Sequence, residues 1–414
     1  MSYKDQLIEL ETCRICKRGN LRPFLSLGSM PLANNFLQKK QLNLPEPYYP
    51  LDVCFCDNCK LVQLKQVVTP EILFKRYPYI TGASEPLKSH FALLSRGIID
   101  RFQIVPGSLI IDIGSNDGTL LNAFQKSDMT VLGIEPAINL VKLARSRGIS
   151  TIHNFFTNSL AQEIRTKRGG AKIITAINVF AHIHDLHDFL NGIHHLLDKN
   201  GILIIEVPYL VDLIEKTAFD TIYHEHLSYF NVHPLVALIN QFDMNIIDIE
   251  RIGSAGGSIR LYIDKSQSMP STSVSALLGF ETEKGFCQLE TYRRFAKSLS
   301  RVKKNLVSLL QSLKTKDARI AGYGAAAKGN ILLNYCKIGT DILDYIIDTT
   351  PLKQGLYSPG AHIPIYPEEY YYQRPPDYFL LLAWNYAEEI IAKEYKYHEQ
   401  GGKFIVPIPE PHII

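Results

Sequence analysis

No stretch of the sequence approaches the roughly 20 uncharged apolar residues that span a bilayer, so a membrane-embedded chain is not expected. A charge surplus is missing too: the formal net charge is +3 over 414 residues. A dedicated nucleic-acid binder would carry a basic stripe or arm. The opening MSYKDQLIELETC mixes charges into its apolar residues and does not read as a secretory signal. Internal repeats and low-complexity tracts are absent. So is G-x-G-x-x-G, the glycine fingerprint of dinucleotide folds, which speaks against a NAD-dependent dehydrogenase or epimerase. H-E-x-x-H, which would place two zinc-protease histidines on one helix face, is missing as well. What is left is an expected cytoplasmic monomer with no nucleic-acid or membrane partner. Its length and 46% hydrophobic content suffice for two or three domains with real cores.

Seven cysteines are present, five of them within the first 59 residues. In a reducing compartment such clustering points to metal ligation over disulfides. Cys13-x2-Cys16 and Cys56-x2-Cys59 form two C-x-x-C knuckles, each offering two thiolates at a spacing that suits tetrahedral zinc. Four thiolates leave no open position, so one structural zinc ion is expected. Cys54 is a spare candidate ligand.

Residues 1–75 make the cysteine-rich section, and "RYPYITGAS", 76–84, reads as an irregular connector before a helix running to about 103. "SLIIDIG", "TVLGIE", "KIITAINVF" and "GILIIEVP" then alternate with helical stretches, the pattern of a parallel sheet covered by helices. A long amphipathic helix pattern at 280–316 bridges to a second alternation, "ARIAGYG", "LDYIIDTT" and "DYFLLLAW". "PSTSVS", 270–275, reads as a loop. The expected divisions are 1–75, 76–270, a bridge at 271–316, and 317–414.

"IIDIGSNDGTLL" is a strand ending in Asp112-x-Gly114-x3-Gly118, with a helix after it. Glycines there let a ligand approach the backbone, and the helix N-terminus favours a carboxylate. Glu135 stands at the end of the next strand, where an acidic residue can bind both ribose hydroxyls. "NVFAHIHDLHDFL" follows a further strand.

"FDTIYHEHLSYF", 219–230, follows "IIEVPYL", and ligands of open α/β sheets bind at the C-terminal ends of strands. His224, Glu225 and His226 are too close in sequence to point one way. A metal site, a proton-transfer site and hydrogen-bonded helix-start residues all stay open from this window. His182, beyond the third strand noted, would face the same crevice, and histidine exchanges a proton near neutral pH. His184, His187, His194 and His195 read as solvent-facing or helix-capping, and Asp185 and Asp188 as surface helix residues.

In "RIGSAGGSIRLYI" the paired glycines suit a bulge or a ligand contact equally. "IAGYGAAAKGNILL" is a strand, a small-residue turn and a helix, with Lys328 adding a positive charge; such a turn can meet phosphate oxygens. Asp348, Lys353, Gly355, Gly360 and His362 follow, making a second nucleotide-type crevice.

The glycine loop resembles the first motif of class I S-adenosylmethionine (SAM) methyltransferases. Taken with "CRIC", "LGSMPLANNF", "CDNCKLVQL", "YPYITGAS", "GIEP", "NVFAHIHD", "FDTIYHEHLSYF", "GGSIRLYI", "GYGAAAKGN" and "DTTPLKQGLYSPGAHIPI", the whole chain resembles the SAM-dependent sugar C-3′-methyltransferases. The resemblance implies an α/β fold: a class I SAM methyltransferase Rossmann-like domain with a small N-terminal zinc module and a second, C-terminal Rossmann-like domain. It implies methylation of C-3 on a nucleotide-linked 4-keto-6-deoxyhexose, with dTDP or GDP, for a branched deoxysugar of an antibiotic or surface polysaccharide. It implies His226 as the base that removes the C-3 proton, with Tyr223, Glu225, His182 and Tyr77 beside it. Asp112, Gly114, Asn116, Gly118, Glu135, Pro136 and Asn178 are the implied SAM set. Tyr79, Lys328, Asn330, Lys353 and His362 are the implied substrate contacts. Methylation at oxygen or nitrogen of another nucleotide-sugar position, or a non-catalytic zinc-containing scaffold, are the competing readings.

Overall fold

The computed structural model describes residues 6–74, 77–83, 85–253, 256–266 and 271–414. The first five residues, Lys75, Arg76 and Ser84 around the connector, Ser254 and Ala255 before the glycine pair, and Pro270 of the expected loop lie outside the described residues. Among the described residues no helix is long and apolar enough to cross a membrane.

The central sheet has seven strands: β1 (Leu109–Ile113), β2 (Thr130–Glu135), β3 (Thr151–His153), β4 (Ala171–Ile177), β5 (Leu197–Pro208), β6 (Asn245–Ile252) and β7 (Ser258–Asp264). Their spatial order is β3-β2-β1-β4-β5-β7-β6. The first five are parallel and β7 runs antiparallel to both of its neighbours. β1 is buried throughout, as a parallel strand covered on both faces must be. The order reverses between β1 and β4, which opens a crevice at their C-terminal ends.

The cysteine-rich section forms an antiparallel sheet of Leu21–Met30, Tyr49–Cys56 and Val62–Leu64. Its fourth strand is Ser228–Tyr229, two residues past His226. The HEH segment is therefore tied to the N-terminal module. The module also enters both neighbouring cores: Cys13, Ile15 and Leu61 pack with the central sheet, and Leu25, Val53 and Phe55 pack with the C-terminal part.

The expected bridge is two helices, Thr272–Glu283 and Leu289–Lys314. The pattern at 280–316 suggested a single helix, but Gly285 adopts φ +77° after the first one. The Phe286 N–H then donates to the Glu281 carbonyl at 2.8 Å and the Gly285 N–H to that of Thr282 at 3.1 Å, a left-handed C-terminal cap that halts the helix. In the second helix Tyr292, Phe295, Leu299, Val302, Leu306, Leu310 and Leu313 recur at spacings of three and four and form one buried stripe.

The C-terminal sheet is ordered Ile365–Tyr366, Ile346–Ile347, Ile320–Tyr323, Tyr378–Leu381, Lys403–Val406 and His412–Ile413. Only the last strand is antiparallel to its neighbour. Its small-residue turn after Tyr323 faces the mouth of the central crevice.

Candidate active site

A cavity of about 740 Å³ occupies that crevice. Its floor comes from the loops after β1, β2 and β4; the connector, the HEH segment and the C-terminal turn close it. Of the expected site residues, Gly114, Asn116, Glu135, Pro136, Asn178, His182, Tyr77, Tyr79, Tyr223, His226, Lys328 and Lys353 line it.

The cofactor end is built around Glu135. One carboxylate oxygen accepts from the Asn116 N–H at 2.9 Å and the other from the Ala137 N–H at 2.8 Å. Each oxygen keeps a lone pair, and the side chain borders the cavity, where a vicinal diol could take both. Gly114 has φ +67°, and a Cβ there would lie 2.5 Å from Val179 Cγ2, so the loop cannot carry a side chain at this point. Asp112 and Gly118, expected to touch the cofactor, do not border this cavity. Asp112 lies beneath the loop and accepts from Thr175 Oγ1 at 2.6 Å; burial pushes its carboxyl up to about 7. Gly118, at φ +77°, packs against Ile149 behind the loop. These residues fit SAM: an acidic strand end, a side-chain-free turn, and an apolar slot from Ile134, Phe155 and Val179.

At the other end the three HEH residues part company. Their partners sit on three different segments. His224 Nε2 meets the Tyr49 carbonyl at 3.2 Å, and burial pushes its imidazolium down to about 4. Glu225 is 2% exposed and does not itself border the cavity. It accepts from Asn34 Nδ2 at 2.7 Å and from the Tyr77 hydroxyl at 3.0 Å, and burial pushes its carboxyl up to about 7. His226 Nδ1 lies 2.7 Å from the Thr221 carbonyl. A carbonyl only accepts, so Nδ1 carries the proton and the neutral ring leaves Nε2 with its lone pair. Burial, then the nearby His182, holds the His226 imidazolium well below its ordinary range. The ring stands 4.0 Å from that of Tyr223 and 5.0 Å from that of His182, centroid to centroid. Burial pushes His182 down to about 4 and the Tyr223 and Tyr77 phenols well up. The cluster thus offers a neutral imidazole base beside the neutral Tyr223 phenol, with the Tyr77 hydroxyl given to Glu225.

Two expected substrate residues lie elsewhere. Asn330 follows Lys328 on the Ala327–Cys336 helix by two positions, about 200° of rotation, and turns to the far side. Its Nδ2 donates to the Ala33 carbonyl at 2.7 Å. His362 Nε2 pairs with Glu46 Oε2 at 3.0 Å. Both join the C-terminal part to the N-terminal module. Lys353 Nζ donates to the Ala325 carbonyl at 2.9 Å and lies 3.6 Å from Asp348. Burial lowers the Lys328 ammonium, which Asp220 offsets.

Several residues outside the expected set also contribute. His184, Asp185 and Asp188 border the cavity and do not simply face solvent. Asp185 also caps the Leu186–Leu196 helix. Arg14, inside the first knuckle, is buried: Nε donates to Ser228 Oγ at 3.1 Å, and Nη2 donates to the carbonyls of Ile183 and of His184, the latter at 2.7 Å. It locks the loop bearing His182 to the strand after His226. An arginine between two metal-type cysteines was the available signal.

The Sγ atoms of Cys13, Cys16, Cys56 and Cys59 all lie within 4.8 Å of one another, with 3.4 Å between Cys13 and Cys59 and 3.6 Å between Cys16 and Cys56. Tetrahedral zinc with bonds of about 2.3 Å needs sulfur separations of about 3.8 Å. Both knuckles make the same turn. Lys17 and Lys60 have positive φ and donate backbone N–H to Cys13 and Cys56, each at 3.0 Å. Three of the thiols compete for protons: Cys13 holds the Cys56 thiol down while contacts within the group push those of Cys13 and Cys59 up. A dication would relieve that competition, so the donors fit zinc. Cys54 stays outside the group, its thiol pushed up to about 11 by burial. Among the described residues no other three His, Cys, Asp or Glu ligand atoms converge in this way, those of HEH included.

Residues 13–74 match a family described as "Putative zinc binding domain", residues 89–249 one described as "Methyltransferase domain", and residues 253–409 one described as "C-methyltransferase C-terminal domain". The C-methyltransferase NovU of Streptomyces niveus is 38% identical over 413 residues, spanning 99% of this chain and 98% of that one. Among solved structures, magnesium protoporphyrin IX methyltransferase (ChlM) of Synechocystis PCC 6803 with bound SAM is 14% identical, with 43% of this chain and 79% of that one covered and a TM-score of 0.32. PH0226 of Pyrococcus horikoshii is 12% identical, with 45% and 95% covered and a TM-score of 0.37. A zinc-binding type of domain, a SAM methyltransferase domain and a C-methyltransferase C-terminal domain in one chain, with 38% identity to a C-methyltransferase along nearly its whole length, establish that this protein belongs to the SAM-dependent C-methyltransferase family.

Proposed function

We propose that the protein transfers a methyl group to C-3 of a dTDP- or GDP-linked 4-keto-6-deoxyhexose, for synthesis of a branched deoxysugar. The observation that carries this is the buried His226 with its Nε2 lone pair free beside Tyr223 and His182. A proton on C-3 is acidified by the C-4 ketone. His226 takes it on Nε2, and the Tyr223 phenol donates to the enolate oxygen, where charge develops, while the Tyr77 hydroxyl stays on Glu225. When bound, SAM supplies the electrophilic methyl group that the enolate carbon accepts. Glu135, Asn116, Pro136 and Asn178 would hold SAM. Lys328 and Lys353, with the Ala326–Ala327 turn, would receive the diphosphate, so residues 317–414 contribute to nucleotide-sugar binding. Holding both reactants in one cavity supplies proximity. The four cysteines hold a structural zinc ion.

The test is C-3 proton exchange in deuterium oxide, with S-adenosylhomocysteine occupying the cofactor end. The unsubstituted protein should wash deuterium into C-3 of the keto sugar, and His226→Asn should not. Exchange that survives in His226→Asn would remove His226 from the role of base. Methylation without any exchange-competent C-3 step would favour an oxygen or nitrogen acceptor.

A further inference from the structure

The segment 77–83 carries Tyr77 and Tyr79 over the cavity, yet apart from one 3₁₀ turn at Thr81–Ala83 it belongs to no helix and no sheet. Its backbone is instead held by side chains of the two cofactor loops. Asn139 Nδ2 donates to the Tyr77 carbonyl at 2.9 Å, and the Tyr77 N–H donates to Asn139 Oδ1 at 3.2 Å. Asn116 Nδ2 donates to the Tyr79 carbonyl at 3.1 Å, and its Oδ1 accepts from the Thr81 N–H at 3.0 Å. Asp117 accepts from the Gly82 N–H at 3.0 Å.

Both loops converge on Glu135, which takes the Asn116 N–H on one oxygen and the Ala137 N–H on the other. Asn139 lies two residues beyond Ala137, in the first turn of the Ile138–Ser146 helix. Its amide pairs with both polar groups of one residue, as a strand neighbour would. The ring of that residue reaches the far side of the cavity, where its hydroxyl donates to Glu225.

We propose that Asn139 is a positioning residue for the methyl transfer: it sets Tyr77 against Glu225 and so links the seat of the cofactor to the sugar end of the cavity. This rests on the methyl transfer to a keto sugar given under Proposed function. Asn139 touches no reacting atom; it acts through Tyr77. The side chain is only half-buried, so its removal leaves the sheet and cores intact.

Two measurements on the full-length protein test this. In hydrogen exchange, Asn139→Ala should speed amide exchange across 77–83 by about tenfold, the effect of losing two ordinary amide hydrogen bonds. Exchange in β1 and β4 should not change. Asn139→Asp keeps the acceptor and should lie between, and it serves if the alanine variant does not fold. In turnover, with SAM and dTDP-4-keto-6-deoxyglucose as probe, Asn139→Ala should lower kcat about tenfold and shift KM for SAM less than twofold. In a Tyr77→Phe background the same change should cost less than twofold, because the two residues act as one unit. Unchanged exchange at 77–83, or an undiminished loss in the Tyr77→Phe background, would overturn the proposal. No turnover of the probe by the unsubstituted protein would count against the sugar reading alone, and the exchange measurement would still decide the role of Asn139.

Discussion

His226 gives its Nδ1 proton to the carbonyl of Thr221, five residues earlier, across 2.7 Å. That bond fixes the tautomer of a buried imidazole and leaves its other nitrogen free. Burial and His182 hold the imidazolium well below its usual range, so the ring is neutral across the physiological span. The acid limb of kcat/KM assigned to His226 should therefore lie well below pH 6.5 and not near it. A pH profile with a limb at the ordinary histidine value would contradict this. His226→Asn should cost at least about a hundredfold in kcat, with S-adenosylhomocysteine affinity by calorimetry unchanged.

Glu225 makes an opposite, structural pH signal. Its carboxyl is pushed up to about 7 by burial, above its unfolded value. Between those values the unfolded chain has released the proton and the folded one still holds it, so stability falls as pH rises through that window. The folded-state contribution is full at acid pH and lost above about 7. Glu225→Gln should flatten this slope. The variant should gain up to about 3 kcal/mol relative to the parent at pH 8, and nothing at pH 4. Urea melts at both pH values would check it.

Gly114 should not accept a side chain. Its φ of +67° and the Val179 methyl 2.5 Å from an added Cβ both oppose one. Gly114→Ala should weaken S-adenosylhomocysteine binding by at least about tenfold, against the roughly 1–2 kcal/mol cost of a left-handed alanine. Val179→Ala in the same chain should recover only the steric part.

Zinc removal should reach the active site through a strand pairing. Ser228–Tyr229 pairs with Val62–Leu64, and Arg14 holds Ser228 and the carbonyls after His182. Metal analysis should find about one zinc per chain. Cys59→Ser should lower both zinc content and turnover, though no cysteine borders the cavity. Arg14→Met should destabilise by about 2 kcal/mol, since it strands the buried Ser228 hydroxyl and two part-buried carbonyls. Full turnover in zinc-free protein would contradict this link.

The sequence was most legible where local chemistry decides the outcome. Gly114 and Glu135 announce a strand-end crevice because few other residues suit those backbone and charge requirements, and the paired C-x-x-C knuckles meet as their spacing requires. The strands Thr151–His153 and Asn245–Ile252 went unnoticed, the first because three residues cannot show a period. Motif membership alone points Asn330 and His362 to the cavity, but helix rotation and a Glu46 partner hundreds of residues away direct them to the domain contact. Asn139 carries no sequence signal of its role, since its partner Tyr77 lies 62 residues away along the chain. The spacing of HEH says that the three side chains cannot point one way, but only the tertiary structure shows that His224 meets Tyr49, Glu225 meets Asn34 and Tyr77, and His226 meets Thr221.

One incubation decides the reaction: the protein with methyl-labelled SAM and a panel of dTDP- and GDP-linked 4-keto-6-deoxy sugars, read by mass and by position of the label. One methyl should be gained on a single member of the panel, bonded to carbon at C-3. A label on oxygen or nitrogen, or no transfer to any keto sugar while SAM binds normally, would contradict it.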